Sequence, residues 1–283
     1  MLDVDGAHLA TLGSGGIGKT SIALSILHNP QIGAKFKEED CHFISCETFT
    51  SGAHLVNALA QALSVKTLTS GPSDLDALIL HLKQHYSACP LLLLLDNFET
   101  PWEIASAQEG IGHVLQCLCH IRQVTIVVTM RGYSPPGLPG MIDWVPLPMV
   151  RPLSLKAAKR TYCSICPTND SSLEELLTQL DNVPLAIVLM AHVGQKGDSS
   201  SQLLKRWKEE HTAFLRHHSQ DPSHLSSVEV SIRISLHNPS MVANPEAQQL
   251  LSLISLLPAG VLSGQLPAIV PSLSKPNEAS DVL

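Results

Sequence analysis

Aromatic residues are scarce in this chain: Trp, Tyr and Phe make up 4% of 283 residues. The core must therefore be built from Leu, Ile, Val and Ala. Charge is also sparse, at 15% against 44% hydrophobic residues, which is a globular composition tilted to the apolar side. The length provides for one large or two to three small domains with ample core. Positive charge is in the minority, with 18 Lys and Arg against 25 Asp and Glu and a formal net charge of −7. That balance argues against a sequence-independent hold on nucleic acid, which rests on Lys and Arg displacing counterions, and the expectation is no nucleic-acid partner. The short basic clusters "KAAKR" (156 to 160) and "KRWK" (205 to 208) read as polar faces of helices.

Long apolar runs are missing too. The stretch "LLSLISLLPAGVLSGQLPAIV" (250 to 270) is interrupted by Pro and Gly before the ~18 apolar residues of a membrane span accumulate. No basic segment followed by an apolar one opens the chain, so no secretory signal and no membrane association are expected. Seven cysteines, an odd number, suit a reducing cytoplasm better than a disulfide framework. "CLC" (Cys117, Cys119) and "CSIC" (Cys163, Cys166) lack a second pair at zinc-ribbon spacing and read as buried thiols in helical patterns.

What is present begins at "LATLGSGGIGKTSIALSIL" (9 to 27). A short apolar strand runs into Gly13, Ser14, Gly15, Gly16, Ile17, Gly18, Lys19 and Thr20, which fit GxxxxGK[ST]. Ser21 and apolar residues at helical spacing come next: Ile22, Ala23, Ile26 and Leu27. Strand, glycine loop and helix in that order make a phosphate cradle, because glycines let successive amides point inward and the helix N-terminus adds partial positive charge. Lys19 is placed to reach β- and γ-phosphates and the Thr20 hydroxyl to ligate Mg²⁺.

Such a loop needs an acid at the end of a neighbouring buried strand. "CPLLLLLDNFETPW" (89 to 102) supplies Asp96 after five leucines, a run suited to a strand covered on both faces. The next position, where many P-loop ATPases carry a water-activating acid, is Asn97, whose amide accepts no proton at neutral pH. Glu99 is a second carboxylate whose direction the sequence leaves open. Hydrolysis is therefore expected to be slow or absent. A further strand, "QVTIVVTMRG" (123 to 132), ends in Thr129, Met130 and Arg131, and Arg131 is a candidate sensor of the γ-phosphate.

With "GSGGIGKT", "LLLLLDNFETPW" and "VTIVVTMRG" in that order, the chain resembles the NB-ARC family of STAND P-loop NTPases, the nucleotide-binding modules of NOD-like and apoptotic receptors. "LDNVPLAIVLMAH" (180 to 192) is similar to the family's GLPL motif, with Pro184 in the place of its proline. "AQQLLSLISLLPAGV" (247 to 261) resembles the opening helices of its winged-helix domain, and "DNFETPWE" resembles fungal members. The likeness covers almost the whole chain. It implies ATP or ADP with Mg²⁺ as ligand, and a Pro184 that packs by adenine and ribose. Read from the residues alone, Pro184 also fits an ordinary helix start. Two departures stand out. Seven residues precede "HLATL", where family members carry an adenine-contacting segment, and the chain reaches Leu283 before the family's late histidine motif. The expectation is a chain incomplete at both ends, a truncated gene product with a frayed, proline-rich terminus.

The expected architecture is an α/β three-layer P-loop NTPase sheet at 1–150, a helical domain at 151–220 and a partial winged helix with frayed tail at 221–283. Strands are expected near 8 to 12, 41 to 46, 91 to 95, 124 to 128 and 142 to 147, and the resemblance gives their order as 5-1-4-3-2. The helices expected after them are 154 to 165, 171 to 180, 183 to 194, 200 to 216, 224 to 237 and 245 to 257. The expected function is that of an ATP/ADP-binding switch in a STAND-type signalling protein, with protein partners or self-oligomerisation. A degenerate nucleotide-binding scaffold and an AAA+-type motor ATPase are the alternatives, Asn97 and the acidic balance counting against the motor.

Overall fold

Five leucines in a row can be buried at once only in a strand covered on both faces, and β3 (Leu91–Asp96) is such a strand: Leu91 to Leu95 are all fully buried. Alternation divides them. Leu91, Leu93 and Leu95 pack into one apolar layer, while Leu92 and Leu94 pack into another on the opposite face. The computed structural model describes residues 6–65, 73–137, 140–167, 170–217, 228, 232, 234, 236, 239–257, 261, 265–270 and 273.

The other strands are β1 (His8–Leu12), β2 (Cys41–Ser45), β4 (Val124–Met130) and β5 (Trp144–Val145). All pairings are parallel and the order is β2-β3-β4-β1-β5, the expected 5-1-4-3-2. Register is set by pairs such as Leu9 with Val127 and Leu95 with Val128. Strand β5 is shorter than the expected 142 to 147, because Pro146 and Pro148 have no N–H to give to a ladder. The helices α1 (Lys19–Leu27), α2 (Pro30–Lys35), α3 (Gly52–Ala62), α4 (Ser73–His85), α5 (Glu99–Trp102) and α6 (Gln108–Cys119) connect these strands. Helices α3, α4 and α6 supply Leu55, Leu59, Leu78, Leu82, Ile111 and Leu115 to the layer that holds Leu93. Ala23 of α1, together with Phe36, covers the opposite face. This is a doubly covered parallel α/β sheet.

Contacts divide the chain into two units, Met1–Arg151 and Pro152–Leu283. The second is helical: α7 (Leu155–Ile165), α8 (Leu173–Gln179), α9 (Pro184–Gln195) and α10 (Ser200–His217). Their shared core includes Tyr162, Leu176, Ile187, Met190, Leu203 and Trp207. Ser154 caps α7 by accepting from the Ala157 amide at 3.3 Å. The basic clusters lie on these helices. Lys159 pairs with Glu174, Lys205 with Glu209, Arg206 with Asp198 and Lys208 with Glu175.

The helix expected near 224 to 237 falls mostly outside the described residues, although Ile234 within it is helical and buried in this core. Further on, helices Pro245–Ile254 and Leu266–Ile269 contribute to a separate small cluster of Met241, Ala247, Leu250, Leu266, Val270 and Leu273. Apolar side chains spaced at 266, 270 and 273 form a face that packs despite the prolines around it. Residues 274–283 lie outside the described residues.

Gly194 shows how closely the helical unit is packed. A Cβ there would stand 2.6 Å from Tyr162 Oη and 3.3 Å from both Cys166 Sγ and Leu203 Cδ1. Alanine normally strengthens a helix interior by about 1 kcal/mol over glycine, but overpacking of about 1–3 kcal/mol is expected to outweigh it. Gly194→Ala should therefore lower the unfolding midpoint of the full chain in urea. A midpoint equal to or above that of the wild type would show that Tyr162 yields.

All seven cysteines are thiols outside any disulfide. Burial pushes the Cys119 thiol up to about 12 and raises that of Cys46 further, so both stay protonated. Among the described residues no cluster of three or more His, Cys, Asp or Glu is arranged to hold a metal, and no helix is long and apolar enough to cross a membrane.

Candidate functional site

The loop between β1 and α1 needs glycine at two places for conformational reasons. Gly16 (φ 71°) and Gly18 (φ 95°) are in the left-handed region, and Gly18 is the N-cap of α1. No side chain caps this helix and no acid stands in its first turn. Its N-terminal amides are left to the loop side, where an anion would meet them.

Lys19 begins α1 and folds back under the loop. Its Nζ donates to Gly13 O at 3.1 Å and to Ser14 O at 3.0 Å, and the residue is buried. Burial, the largest effect, pushes the ammonium below the usual lysine pKa, and Arg131 acts in the same direction. Glu99 and Asp96 oppose them, Glu99 more strongly. A buried cation beneath a glycine loop at a helix N-terminus matches a polyanion.

Thr20 points the other way along the helix start. Its Oγ1 donates to Asp96 Oδ1 at 2.9 Å and lies 3.0 Å from Oδ2. Asp96 is held from a second side by Thr129, whose Oγ1 donates to Oδ1 at 2.5 Å. Thr129 Oγ1 in turn accepts from the Asn97 amide at 3.2 Å. Hydroxyl and carboxylate oxygens gathered at the phosphate end of a helix are the hard donors that Mg²⁺ prefers. The donor set therefore fits the metal, with Thr20 and Asp96 as the residues that would hold it.

Asn97 has φ 56°, left-handed backbone that Asn adopts more readily than most residues. The chain turns sharply there. Phe98 enters the core, stacked 6.5 Å from Trp102, and Glu99 is buried at the start of α5. Glu99 Oε1 lies 3.3 Å from Arg131 Nε, while its Oε2 is buried without a hydrogen-bond partner. The Arg131 side chain is 68% exposed and passes over the loop, its guanidinium carbon 3.6 Å from where a Cβ on Gly15 would sit.

A glycine loop leads from the first strand into a helix, a parallel sheet has the order 2-3-4-1-5, and an aspartate at the end of β3 is hydrogen-bonded to the threonine after the loop lysine. The fold is that of a P-loop NTPase. Among solved structures it is similar to the ORC1 protein of Aeropyrum pernix in complex with DNA, at 13% identity over 98% of this chain and 76% of that one, TM-score 0.46. It is similar to the Aeropyrum pernix ORC2 protein in ADPNP-ADP complexes, at 14% identity over 96% and 75%, TM-score 0.43. A third neighbour is Drosophila ORC bound to DNA, at 12% identity over 94% and 58%, TM-score 0.42. At these identities and TM-scores the likeness assigns no role to this chain. No family model and no curated protein matches the chain.

One expectation is corrected at this point, the exclusion of nucleic acid as a partner. Two of these neighbours are found with DNA. A net charge of −7 is a sum over the whole chain, whereas counterion release depends on where individual Lys and Arg residues stand.

Of the residues singled out in the sequence, the structure gathers Gly13, Ser14, Gly15, Gly16, Ile17, Gly18, Lys19, Thr20, Asp96 and Arg131 at one end of the sheet. Ser21 is exposed in the first turn of α1. Pro184 opens α9 in the second unit, behind Asp181 and Asn182, both at φ 53°. Sequence reasoning gave Thr129 no role and left the direction of Glu99 open. Thr129 was legible in principle, since extending the Leu95 to Val128 register by one residue puts it beside Asp96. The inward direction of Glu99 depends on the left-handed turn at Asn97, which has no sequence signature of its own.

Proposed function

We propose that this chain binds Mg²⁺-ATP and ADP at the loop 13–20 as the nucleotide module of a P-loop NTPase. The observation that carries this reading is the coupling of Lys19, buried under the loop, to the Thr20–Asp96–Thr129 cluster beside it. In this reading the loop amides and Lys19 take the phosphates, and Thr20 and Asp96 would hold Mg²⁺, which would supply neutralisation of phosphate charge. Arg131, whose side chain is 68% exposed, contacts the γ-phosphate.

Two readings of the step after binding share this site. The resemblance in "DNFETPWE" and "LDNVPLAIVLMAH" supports a STAND-type switch that holds ADP and exchanges it for ATP. A buried carboxylate beside Arg131 supports an ATPase of the AAA+ type, because it removes the objection that Asn97 leaves the site without an acid.

The test is calorimetric titration of the full chain with ATP and with ADP, in Mg²⁺ and in EDTA, together with identification of any nucleotide that copurifies. Magnesium-dependent binding of both nucleotides is expected. Tightly held copurifying ADP favours the switch and rapid turnover favours the ATPase. Failure to bind either nucleotide overturns the proposal and leaves a degenerate scaffold.

A further inference from the structure

The cysteines have no task in the nucleotide reading, and one of them stands beside an imidazole. His113 and Cys117 are four residues apart on α6, so their side chains project from the same face of that helix. Cys117 Sγ lies 3.8 Å from His113 Nε2. The thiol is half-buried and outside any disulfide, and the imidazole is exposed. Ile111, Val114, Leu115 and Leu118 anchor α6 in the core of the first unit, so the pair is carried on a fixed helix and not on a loop.

A tetrahedral zinc ion, with sulfur at about 2.3 Å and imidazole nitrogen at about 2.0–2.1 Å, keeps those two donors about 3.6 Å apart. The observed spacing is within a few tenths of an ångström of that bite. Without an ion the same spacing suits a weak contact from the thiol to the ring nitrogen. Uptake of a cation therefore exchanges the thiol proton, which leaves to solvent, for the metal with little movement of either side chain.

The surroundings favour positive charge. His113 lines a cavity of about 330 Å³ together with Asn57, Asp74 and Gly110. Asp74 Oδ1 is buried without a hydrogen-bond partner, so its carboxylate is poorly solvated and gains from a cation nearby. Gly110 keeps the α6 side of the cavity open, since a Cβ there would meet nothing within 4 Å. That leaves room for water on an ion held by two protein donors.

The geometry points to His113 and Cys117 as a bidentate site for a borderline-soft divalent cation of the Zn²⁺ type. Thiolate and imidazole select such an ion, whereas the oxygens of Thr20 and Asp96 suit Mg²⁺. Among the described residues no third His, Cys, Asp or Glu completes the set, so water takes the remaining positions. The cysteine-to-cysteine spacing of a zinc ribbon is absent from the sequence; the pair that matters is mixed and at helical spacing. A second such pair, His81 and His85 of α4, stacks its rings at 3.9 Å and has no sulfur, so readouts on thiolate separate the two.

The experiment uses the full chain, reduced and without nucleotide. Cd²⁺ is titrated in while thiolate-to-metal charge-transfer absorption is followed, and alkylation of each cysteine by iodoacetamide is measured with and without Zn²⁺ by peptide mass spectrometry. Wild type should give saturable absorption, and Zn²⁺ should slow alkylation of Cys117 by at least about tenfold while leaving that of the half-buried Cys89 unchanged. Changing a group behind a metal ligand already costs about 10–100-fold in affinity, so His113→Ala, which removes a ligand, should weaken Cd²⁺ binding by at least about tenfold and abolish the protection. Cys117→Ser should remove the absorption. Melting curves in EDTA should show both variants folded.

The inference is overturned if Zn²⁺ leaves the alkylation of Cys117 unchanged, if His113→Ala keeps wild-type affinity and protection, or if the absorption survives in Cys117→Ser with the same affinity. No nucleotide enters the experiment, so its failure leaves the nucleotide reading untouched.

Discussion

Lys19→Ala is expected to weaken ATP and ADP binding by at least about 100-fold while moving the thermal unfolding midpoint by only a few degrees. The affinity loss comes from charge. Charge-assisted hydrogen bonds contribute about 1.5–3 kcal/mol each, and an ammonium shared between two phosphates makes more than one of them. The stability effect is small because two contributions oppose each other. Alanine gives up the bonds from Nζ to Gly13 O and Ser14 O, but it also relieves the burial of a cation whose pKa that burial depresses. Alanine also has the better helix propensity at the first residue of α1. Titration calorimetry and a melting curve on the same preparation test both halves. Equal affinities would remove the phosphate role from the loop, and a collapse of the melting curve would mean that the lysine serves mainly to hold the loop in shape.

How far the sequence discloses the structure differs by element. The leucine run of β3 and the β-branched run of β4 announce buried parallel strands because no other local structure hides every residue of such a run. The glycine loop is equally legible, since its motif is a statement about backbone conformation and Gly16 and Gly18 do take positive φ. Less is legible wherever direction depends on a single dihedral or on a partner remote in sequence. In the sequence Asn97 stands out for the acid it lacks, whereas in the structure its backbone matters more, because the turn there aims Glu99 at Arg131. Thr129 reaches Asp96 across 33 residues, a contact that only strand register supplies. The apolar face at 266 to 273 is obscured by neighbouring prolines, and its burial comes from Met241, Ala247 and Leu250. Net charge misleads for a simpler reason, that a sum has no location.

Asp96→Asn should erase most of the benefit that Mg²⁺ confers on ATP binding, by about 10–100-fold, the range seen when groups that orient or hold a metal are changed. Asparagine is close to isosteric, and its amide oxygen can still accept from Thr20 Oγ1 and Thr129 Oγ1, which now donate to Oδ1 at 2.9 Å and 2.5 Å. The strand end and the loop should therefore stay in place. What is lost is the negative charge, and with it a hard ligand for the metal. In EDTA the sign reverses. Without a cation between them, the carboxylate and the phosphates repel, so removing the charge should leave ATP affinity unchanged or raise it. The expected result is a large fall in magnesium and none in chelator, read from paired titrations of the full chain. An equal fall in both conditions would make Asp96 a structural acceptor for its two threonines and take the metal away from this end of β3.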